Sequence, residues 1–293
     1  MDAVLQKGIL TNFFEAYEAT SPLADELMTK VTSTGAGENY AWISGNPSLR
    51  KMLGERVPQR FKAYKYHLDN EEYEASVEVL RKDIKDDTTG KYLTQARSIG
   101  ESVKEFPDEQ IFGDLLPNGF TNLAYDGQYF FDSDHGYGED GAVQSNLLTS
   151  ALDATSFATA RTMLRQMRLD NGKRINKKLD LRLIVPVELE ATARAIVEPE
   201  NIVVGGVPVA NPNYKTATVV VSTELTDSNN WYLANVAGTI LPFVEQTREF
   251  IPFEALEDGS EKAWWNKIYY YGTYWRGAYG YGLYQKIVGA NVA

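Results

Sequence analysis

The sequence predicts an α+β fold, because segments with helical periodicity and segments with strand periodicity both occur along the chain. Residues 92–106 place apolar side chains at alternating steps of four and three, which is typical of an amphipathic helix. Residues 73–79 instead alternate apolar and polar side chains, as a strand with one solvated face does. A third segment, residues 262–287, is crowded with tryptophan, tyrosine and glycine, which favours a sheet whose glycines let another backbone approach closely.

The composition excludes several kinds of protein. The chain has 293 residues, a formal net charge of -11 and no cysteine. A protein that coats nucleic acid needs a net positive face, so the negative charge argues against that class. Without cysteine there are no disulfides, thiolate metal sites or cysteine nucleophiles. The N-terminus lacks the pattern of a secretory signal, and no apolar run approaches the roughly 18 residues that span a bilayer. We therefore expect a soluble protein made in the cytoplasm.

The first part of the chain predicts two helices and a loop. Residues 4–19 carry four apolar side chains at steps of four, which predicts a helix that docks on a larger body. A short helix is predicted over residues 22–28, since the proline at its start is tolerated in a first turn. Residues 33–38 read STGAGE, which predicts a flexible loop.

A basic segment and an acidic segment follow each other directly. Residues 39–68 contain no long apolar run and have two prolines near their middle, which indicates an extended, exposed excursion. The excursion is positively charged, whereas residues 69–87 are dominated by Asp and Glu. Adjacent segments of opposite sign suggest pairing, either within one chain or between neighbouring copies. The basic side chains that we expect at such contacts are Arg50, Lys51, Arg56, Arg60, Lys62 and Lys65.

The remaining sequence alternates further helices and strands. Pro107 interrupts the stripe of the long helix, and apolar residues beyond it predict a kink, or a break followed by a second helix that ends before Pro117. Residues 118–144 are rich in Gly, Asp and aromatics, which predicts a turn-rich connection. Residues 150–255 predict a compact α/β or α+β domain, with helices at 155–167 and 187–197, a buried strand at 179–186 and short strands between 202 and 246.

No segment carries a strong catalytic motif. Asp132, Asp134 and His135 are close in sequence, and carboxylates with a histidine can bind a metal. Only His67 is available as a further histidine, so we interpret the cluster as turn chemistry. There is no GxSxG elbow, and GGVP at 205–208 lacks the lysine of a phosphate loop and predicts a hairpin turn. A carboxylate pair for glycoside cleavage stays open, because nothing in the sequence selects one. We expect no catalytic, cofactor or metal site.

Three segments carry a resemblance to a known family. They are NYAWISGNPSLRKMLGER at 39–56, PDEQIFGDLLPNGFTNLAYDGQYFFDSDH at 107–135 and YGTYWRGAYGYGLYQKI at 271–287. The most distinctive piece is DGQYFFDSDH at 126–135. Together with the order of elements along nearly the whole chain, these segments resemble the major head subunit of Mu-like phages and, more broadly, the HK97-like capsid fold of tailed phages.

The resemblance implies a division of the chain into four parts. They are an N-terminal arm (1–37), an extended loop that reaches over a neighbouring subunit (38–68), a peripheral domain with a long spine helix (69–144 and 256–293) and an axial domain that meets its symmetry mates (145–255). The arm starts almost at Met1, so we expect either a separate scaffolding protein or a trimmed product.

The resemblance also implies a function. The chain would be a major capsid protein of the virion, assembled from pentamers and hexamers into an icosahedral shell around double-stranded DNA. It would enclose DNA without sequence-specific binding, contact no membrane and catalyse no reaction. The implied partners are a scaffolding protein, a maturation protease and a portal, with assembly in the cytoplasm of a bacterial host.

Aromatic side chains are expected among the contacts, and two other functions stay open. Trp42 and Trp275 are candidate anchors between subunits, because aromatics give contact area at low entropic cost. We interpret Trp264 and Trp265 as core residues, with an anchor role as the alternative.

The first alternative function is another structural virion protein, such as a tail or decoration component. The second is a metal-dependent hydrolase built on the 132–135 cluster.

Overall fold

The predicted α+β class is confirmed by a computed structural model, which describes residues 2–40, 66–86, 90–138 and 141–292. Helices and strands are intermixed along these residues. They form one four-stranded sheet, one five-stranded sheet and three two-stranded ribbons. A large apolar cluster, which includes Phe130, Phe243 and Tyr281, lies where the two main sheets meet.

The helical segments are distributed over the whole described chain. The α-helices are α1 (Asp2–Ala19), α2 (Arg81–Lys85), α3 (Lys91–Asp108), α4 (Leu116–Asn118), α5 (Ala154–Gln166), α6 (Glu190–Val197) and α7 (Glu261–Asn266). Shorter 3-10 segments are Leu23–Leu27, Val187–Leu189 and Tyr284–Lys286, and a π-helical segment is Glu109–Leu115.

Most strands have two to six residues, and three are longer, with 14, 14 and 10 residues. They are β1 (Met28–Thr32), β2 (Gly37–Asn39), β3 (His67–Asp69), β4 (Glu71–Leu80), β5 (His135–Tyr137), β6 (Ala142–Gln144), β7 (Leu147–Leu148), β8 (Leu181–Pro186), β9 (Asn201–Val204), β10 (Val207–Ala210), β11 (Thr218–Ser222), β12 (Trp231–Asn235), β13 (Phe243–Leu256), β14 (Ile268–Tyr281) and β15 (Ile287–Ala290).

The four-stranded sheet is organised around the antiparallel hairpin of β13 and β14. Its order is β1-β13-β14-β4, with β1 parallel to β13 and β4 antiparallel to β14. The strand predicted at 73–79 is confirmed within β4. The sequence did not predict β1, and it predicted too short a β13. Arg248 and Glu249 interrupt the apolar side chains in the middle of β13, and Pro252 lies beyond them, so the sequence does not show one continuous strand.

The helices α1 and α3 pack together on this sheet. Ile9 and Phe13 of α1 are buried with Tyr269 and Tyr271 of β14. A glycine sets the closest approach of the two helices, because a Cβ built on Gly100 would lie 2.4 Å from the carbonyl oxygen of Phe13. The N-terminal helix predicted to dock on a larger body therefore docks on its own chain.

Pro107 does not end the long helix. The helix α3 continues to Asp108 and passes directly into the π-helical segment and then into α4. Proline has no backbone N–H to donate within the helix, and the π-helical segment begins two residues after it. The prediction that helical structure ends before Pro117 is wrong, because Pro117 lies within α4, near its N-terminus.

The five-stranded sheet separates two apolar clusters. Its order is β11-β8-β12-β15-β7. Along β12 the side chains alternate, so Trp231 and Leu233 face the cluster formed with α5 and α6, while Tyr232 and Ala234 face the cluster shared with the other sheet. The C-terminal strand β15 pairs with β12, so it belongs to this sheet rather than to the sheet that contains β14. The division of the chain into domains stays a prediction.

Local signals in the sequence explain two further elements. Asp153 precedes α5 and accepts hydrogen bonds from the backbone N–H groups of Ser156 and Thr155 at 2.6 and 2.8 Å. The N–H of Asp153 donates in turn to Oγ of Ser156 at 2.9 Å, which completes a capping box, and the bonds to its carboxylate lower the pKa of Asp153. The predicted hairpin turn at GGVP is confirmed between β9 and β10, where Gly205 and Gly206 have φ of 61° and 83°.

The glycine at the contact between α1 and α3 gives a stability prediction. Gly100→Ala should destabilise the unassembled subunit by about 1–3 kcal/mol, because the added Cβ displaces the backbone of α1. Alanine in place of glycine otherwise stabilises a helix interior by about 0.5–1 kcal/mol, so the sign of the change reports the contact. Urea unfolding of the two proteins measures the difference.

Gly113→Ala is the matched control, because a Cβ there meets only the Cβ of Glu224 at 3.9 Å. We expect this variant to lose no stability. Equal shifts for both variants would show that α1 does not rest on Gly100.

Candidate assembly surface

The predicted contact residues lie in residues 41–65, outside the described residues. They are Trp42, Arg50, Lys51, Arg56, Arg60, Lys62 and Lys65. The structure describes both ends of this segment and the surface beside them.

The two ends of the segment leave the fold at one point. The strands β2 and β3 pair antiparallel, with Asn39 opposite His67, and form a stem. The backbone N–H of Tyr40 donates to the carbonyl oxygen of Tyr66 at 2.8 Å, which extends the pairing up to the first residue outside the described part. The segment therefore starts and ends side by side.

The stem is attached to the four-stranded sheet by a buried polar network. Tyr40 donates its hydroxyl to Oε1 of Gln246 at 2.7 Å, and Nε2 of Gln246 donates to Oδ1 of Asn70 at 2.6 Å. On the other arm of the stem, the hydroxyl of Tyr66 accepts from the backbone N–H of Tyr281 at 2.8 Å. Burial raises the pKa of Tyr66 to about 12, so this phenol stays neutral at physiological pH.

An acidic strand lies next to the stem. The strand β4 is at the edge of the sheet, and among the described strands only β14 pairs with it. Glu72, Glu74 and Glu78 share one face of β4 and are exposed. Their cationic partner within the described residues is Arg276, whose Nε lies 3.7 Å from Oε1 of Glu72, a weak exposed contact. Most of this negative charge is therefore available to a basic surface.

The opposite face of β4 lines an aromatic groove against α3. The ring of Tyr73 packs 5.0 Å from that of Phe106 and 5.4 Å from that of Trp275. The groove has a volume of about 280 Å³. The indole N–H of Trp275 donates to Oγ1 of Thr247 at 3.2 Å, so this side chain is held by its own sheet. Its role as an anchor between subunits stays a prediction.

The interpretation of Trp264 and Trp265 as core residues is wrong. They lie on α7, in the connection between β13 and β14, and are 74% and 73% exposed. The helix itself is well anchored, because Ala263 is buried and Ser260 caps the N-terminus by accepting from the N–H of Ala263 at 3.2 Å. The aromatic composition of residues 262–287 gave no sign that the two tryptophans precede the strand instead of lying in it.

His135 is buried among groups that the sequence analysis did not single out. Its Nδ1 lies 2.7 Å from Oδ2 of Asp126 and its Nε2 lies 3.2 Å from Oδ1 of Asn146. The ring stacks on Tyr284 with centroids 3.6 Å apart. Both ring nitrogens are thus occupied by protein groups. The only sequence signal for Asp126 was its place in the distinctive DGQYFFDSDH segment.

The other two members of the acidic cluster do not join His135 in a site. Asp134 is exposed, and Oδ1 of Asp132 accepts from the backbone N–H of Ser133 at 2.6 Å, as in a turn. His67 lies on the stem, between side chains of Asn39 and Asp69. Over the residues that the structure describes, no group of three or more His, Asp or Glu side chains is placed to hold a metal ion. In the same residues no helix is long and apolar enough to cross a membrane.

Comparison with protein families gives a match along nearly the whole chain. The family described as the Mu-like prophage major head subunit gpT matches residues 3–151, 148–225 and 222–292. The chain is 26% identical over 279 residues to the Mu-like prophage FluMu major head subunit of Haemophilus influenzae, covering 95% of this chain and 69% of that protein. It is 38% identical over 105 residues to the major capsid protein of Escherichia phage Mu, covering 36% of this chain and 34% of that protein.

Solved structures with the same fold are capsids and related particles. The procapsid protein of bacteriophage JBD30 superposes with a TM-score of 0.61 at 22% identity, covering 99% of this chain and 74% of that chain. The virus-like particle protein from Pyrococcus furiosus gives a TM-score of 0.54 at 12% identity, covering 96% of each chain. At these identities the structures show the fold, which is the HK97-like capsid fold.

Because the family match extends from the first helix to the last strand, the chain belongs to the family of Mu-like prophage major head subunits and is a major capsid protein.

Proposed function

We propose that copies of this chain assemble into the closed icosahedral head of a tailed phage or prophage, as pentamers and hexamers around double-stranded DNA. Multivalent closure makes a stable particle from contacts that are individually weak. The observation that carries the proposal is that the acidic edge strand β4 lies beside the stem of the basic segment 41–65. The two segments are complementary in charge.

In this proposal the basic residues between Arg50 and Lys65 of one copy contact the glutamates of β4 in a neighbouring copy. Three exposed carboxylates share one face of β4 and have little cationic compensation within the described residues. The basic segment has too few apolar side chains to pack on its own chain. Charge complementarity directs encounter and register more than it adds affinity, which suits a contact repeated in every subunit.

The other proteins of assembly follow from the proposed role. A scaffolding protein sets the size of the shell, a maturation protease acts on the assembled particle, and a portal occupies one vertex. Assembly takes place in the cytoplasm of the bacterial host. The net charge of -11 suits a shell that encloses DNA without adhering to it.

The proposed role is structural, with no catalysed reaction and no resident metal. The competing hydrolase hypothesis required a free histidine beside Asp132 and Asp134. His135 is instead buried, with its nitrogens occupied by Asp126 and Asn146. That arrangement supports a role in holding the turn-rich connection on Tyr284.

Assembly itself is the first prediction. The purified chain, alone or co-expressed with its scaffolding protein, should form closed shells, rings or capsomers, since both charge-complementary surfaces are on every copy. Negative-stain microscopy and light scattering measure this. A strictly monomeric species at all concentrations and salt conditions, even with the scaffold present, contradicts the proposal.

Charge reversal tests the contact with β4. Arg56→Glu with Arg60→Glu should leave the melting temperature of the unassembled subunit unchanged and reduce particle yield. Each exposed pair is worth only about 0.2–1 kcal/mol, but the loss is repeated in every subunit. Particle yield and its dependence on salt are measured by sedimentation.

A second reversal serves as the rescue. Adding Glu74→Lys and Glu78→Lys to the double variant should restore yield, because it restores opposite signs across the contact. Lys177→Glu with Lys178→Glu is the matched control, since it makes the same change in net charge at exposed positions far from β4 in sequence. Equal loss of yield in the control would assign the effect to net charge rather than to the β4 contact.

The histidine cluster gives a prediction that separates structure from metal binding. Asp126→Asn should destabilise the subunit by about 1–3 kcal/mol, because it weakens a buried charge-assisted hydrogen bond. Asp134→Asn, at an exposed position, should change stability by less than about 0.5 kcal/mol. Chelator treatment should leave the melting temperature unchanged. A stoichiometric metal retained after dialysis, with similar losses in both variants, would support the hydrolase hypothesis instead.

A further inference from the structure

The ribbon formed by β9 and β10 exposes aliphatic side chains without any charged residue. Residues 201–210 read NIVVGGVPVA. Val203, Val204, Val207 and Val209 are 72%, 59%, 59% and 40% exposed. Nine of these ten residues are exposed and none of the ten is charged, which is unusual in a chain whose residues are 24% charged. Exposed apolar patches of this kind mark contact surfaces.

Both faces of the ribbon are apolar. Val207 pairs with Val204 and Val209 pairs with Ile202, so these four β-branched side chains share one face. Pro208 pairs with Val203 and Ala210 with Asn201, so the opposite face carries Val203, Pro208 and Ala210. A surface ribbon that rests on its own protein has one apolar face and one polar face. This ribbon has nothing polar to turn toward water except Asn201 and its backbone.

The ribbon is held firmly at its base. Asn211 is buried, and its Nδ2 donates to the carbonyl oxygens of Ile196 and Pro199, both at 2.9 Å. Its backbone N–H donates to the carbonyl oxygen of Glu200 at 2.9 Å, which closes the ribbon. A two-stranded ribbon is only marginally stable in water by itself. The hydrogen bonds at the base therefore hold the ribbon in a defined position while its apolar side chains stay exposed.

One face of the ribbon continues into a groove on the same chain. Ile202 lines an open groove of about 810 Å³ between α5 and α6. The groove is lined by apolar side chains, among them Ala154, Ala158, Ala191 and Ala195, and by polar ones such as Thr155 and Thr192. Arg161 also lines it, and the exposed carboxylate of Glu200 lies just before the ribbon. Asp153 also lines the groove, but its carboxylate caps α5, which leaves Arg161 as the charge in the groove that is complementary to Glu200.

We propose that neighbouring copies form a ring through these ribbons. The ribbon of one copy lies in the α5–α6 groove of the next copy, where its Val203 face packs against the Val207 face of that copy's ribbon. This proposal rests on the proposed assembly into rings of five and six. Each copy offers two different apolar faces, so each ribbon contacts two neighbours. Contacts between unlike surfaces close into rings, whereas a contact between like surfaces stops at a dimer and leaves one face in water. In the stack, Arg161 of one copy faces Glu200 of the next.

The absence of cysteine makes the stacking directly testable. Two single variants place the cysteine on different faces of the ribbon. Val207→Cys is on the face that carries Ile202, and Val203→Cys is on the opposite face. A small mass tag on one variant distinguishes the two. Particles assembled from the mixture are treated with a short bis-maleimide and separated on a denaturing gel. We expect the mixed dimer to dominate over both homodimers. A mixture of Val207→Cys with Val143→Cys, a valine 62% exposed on the β5–β6 hairpin, is the control and should give little mixed product.

The other outcomes overturn the stacking and identify its replacement. Homodimers of a single variant would show that like faces meet. Normal particles with no cross-link at either position would show that the ribbon faces something other than a second copy. In both cases the shell itself stands. If the unsubstituted chain forms no assembly, the proposed function fails instead, so the two failures are distinguishable.

A double variant gives an independent readout. Val203→Asp with Val207→Asp places a charge on each face, so it should abolish rings while leaving the melting temperature of the unassembled subunit unchanged, because neither side chain is buried there. Val143→Asp is the control for adding charge at an exposed valine. Particles of normal yield and size from the double variant would contradict the stacking.

Discussion

The strands β13 and β14 pair along nearly their whole length, and the other parts of the described chain attach to this hairpin. The outer edges receive β1 and β4, and one face receives α1 and α3. At the C-terminal end of β14, the hydroxyl of Tyr281 donates to the carbonyl oxygen of Leu115, which fixes the end of the π-helical segment. The chain then continues from Tyr281 into β15 and the second sheet. The hairpin thus positions both the acidic edge and the five-stranded sheet that carries the ribbon.

The mixture of aromatics and glycines in β14 has a steric basis. A Cβ on Gly280 would lie 2.5 Å from a methyl carbon of Leu68, and a Cβ on Gly277 would lie 2.1 Å from the carbonyl oxygen of Gln246. Each glycine is a place where another group occupies the space of a side chain. The stem of the 41–65 segment therefore lies directly against the hairpin, and its buried hydrogen bonds to Gln246 need that closeness.

Sequence reasoning succeeded where one periodicity operated alone. The stripe of α3, the alternation in β4 and the glycine pair of the β9–β10 turn each reflect one local rule. It failed where tertiary context decided. The strand β1 has no pattern of its own and forms because β13 offers it an edge, and Trp264 and Trp265 are exposed although tryptophan usually favours burial. The partners of His135 come from Asp126 and Asn146, which only the folded chain brings together. The basic contact residues were predicted from charge alone and stay a prediction, because they lie outside the described residues.

The stem formed by β2 and β3 makes the stability of the fold nearly independent of the length of residues 41–65. Because β2 and β3 bring its two ends together, residues can be inserted or deleted between them without separating the strands of the stem. For a flexible loop, each doubling of its length costs only about 0.6 kcal/mol. Related chains could therefore diverge in the reach of this segment, and so in the spacing and curvature of their shells, while retaining the same sheets beneath it.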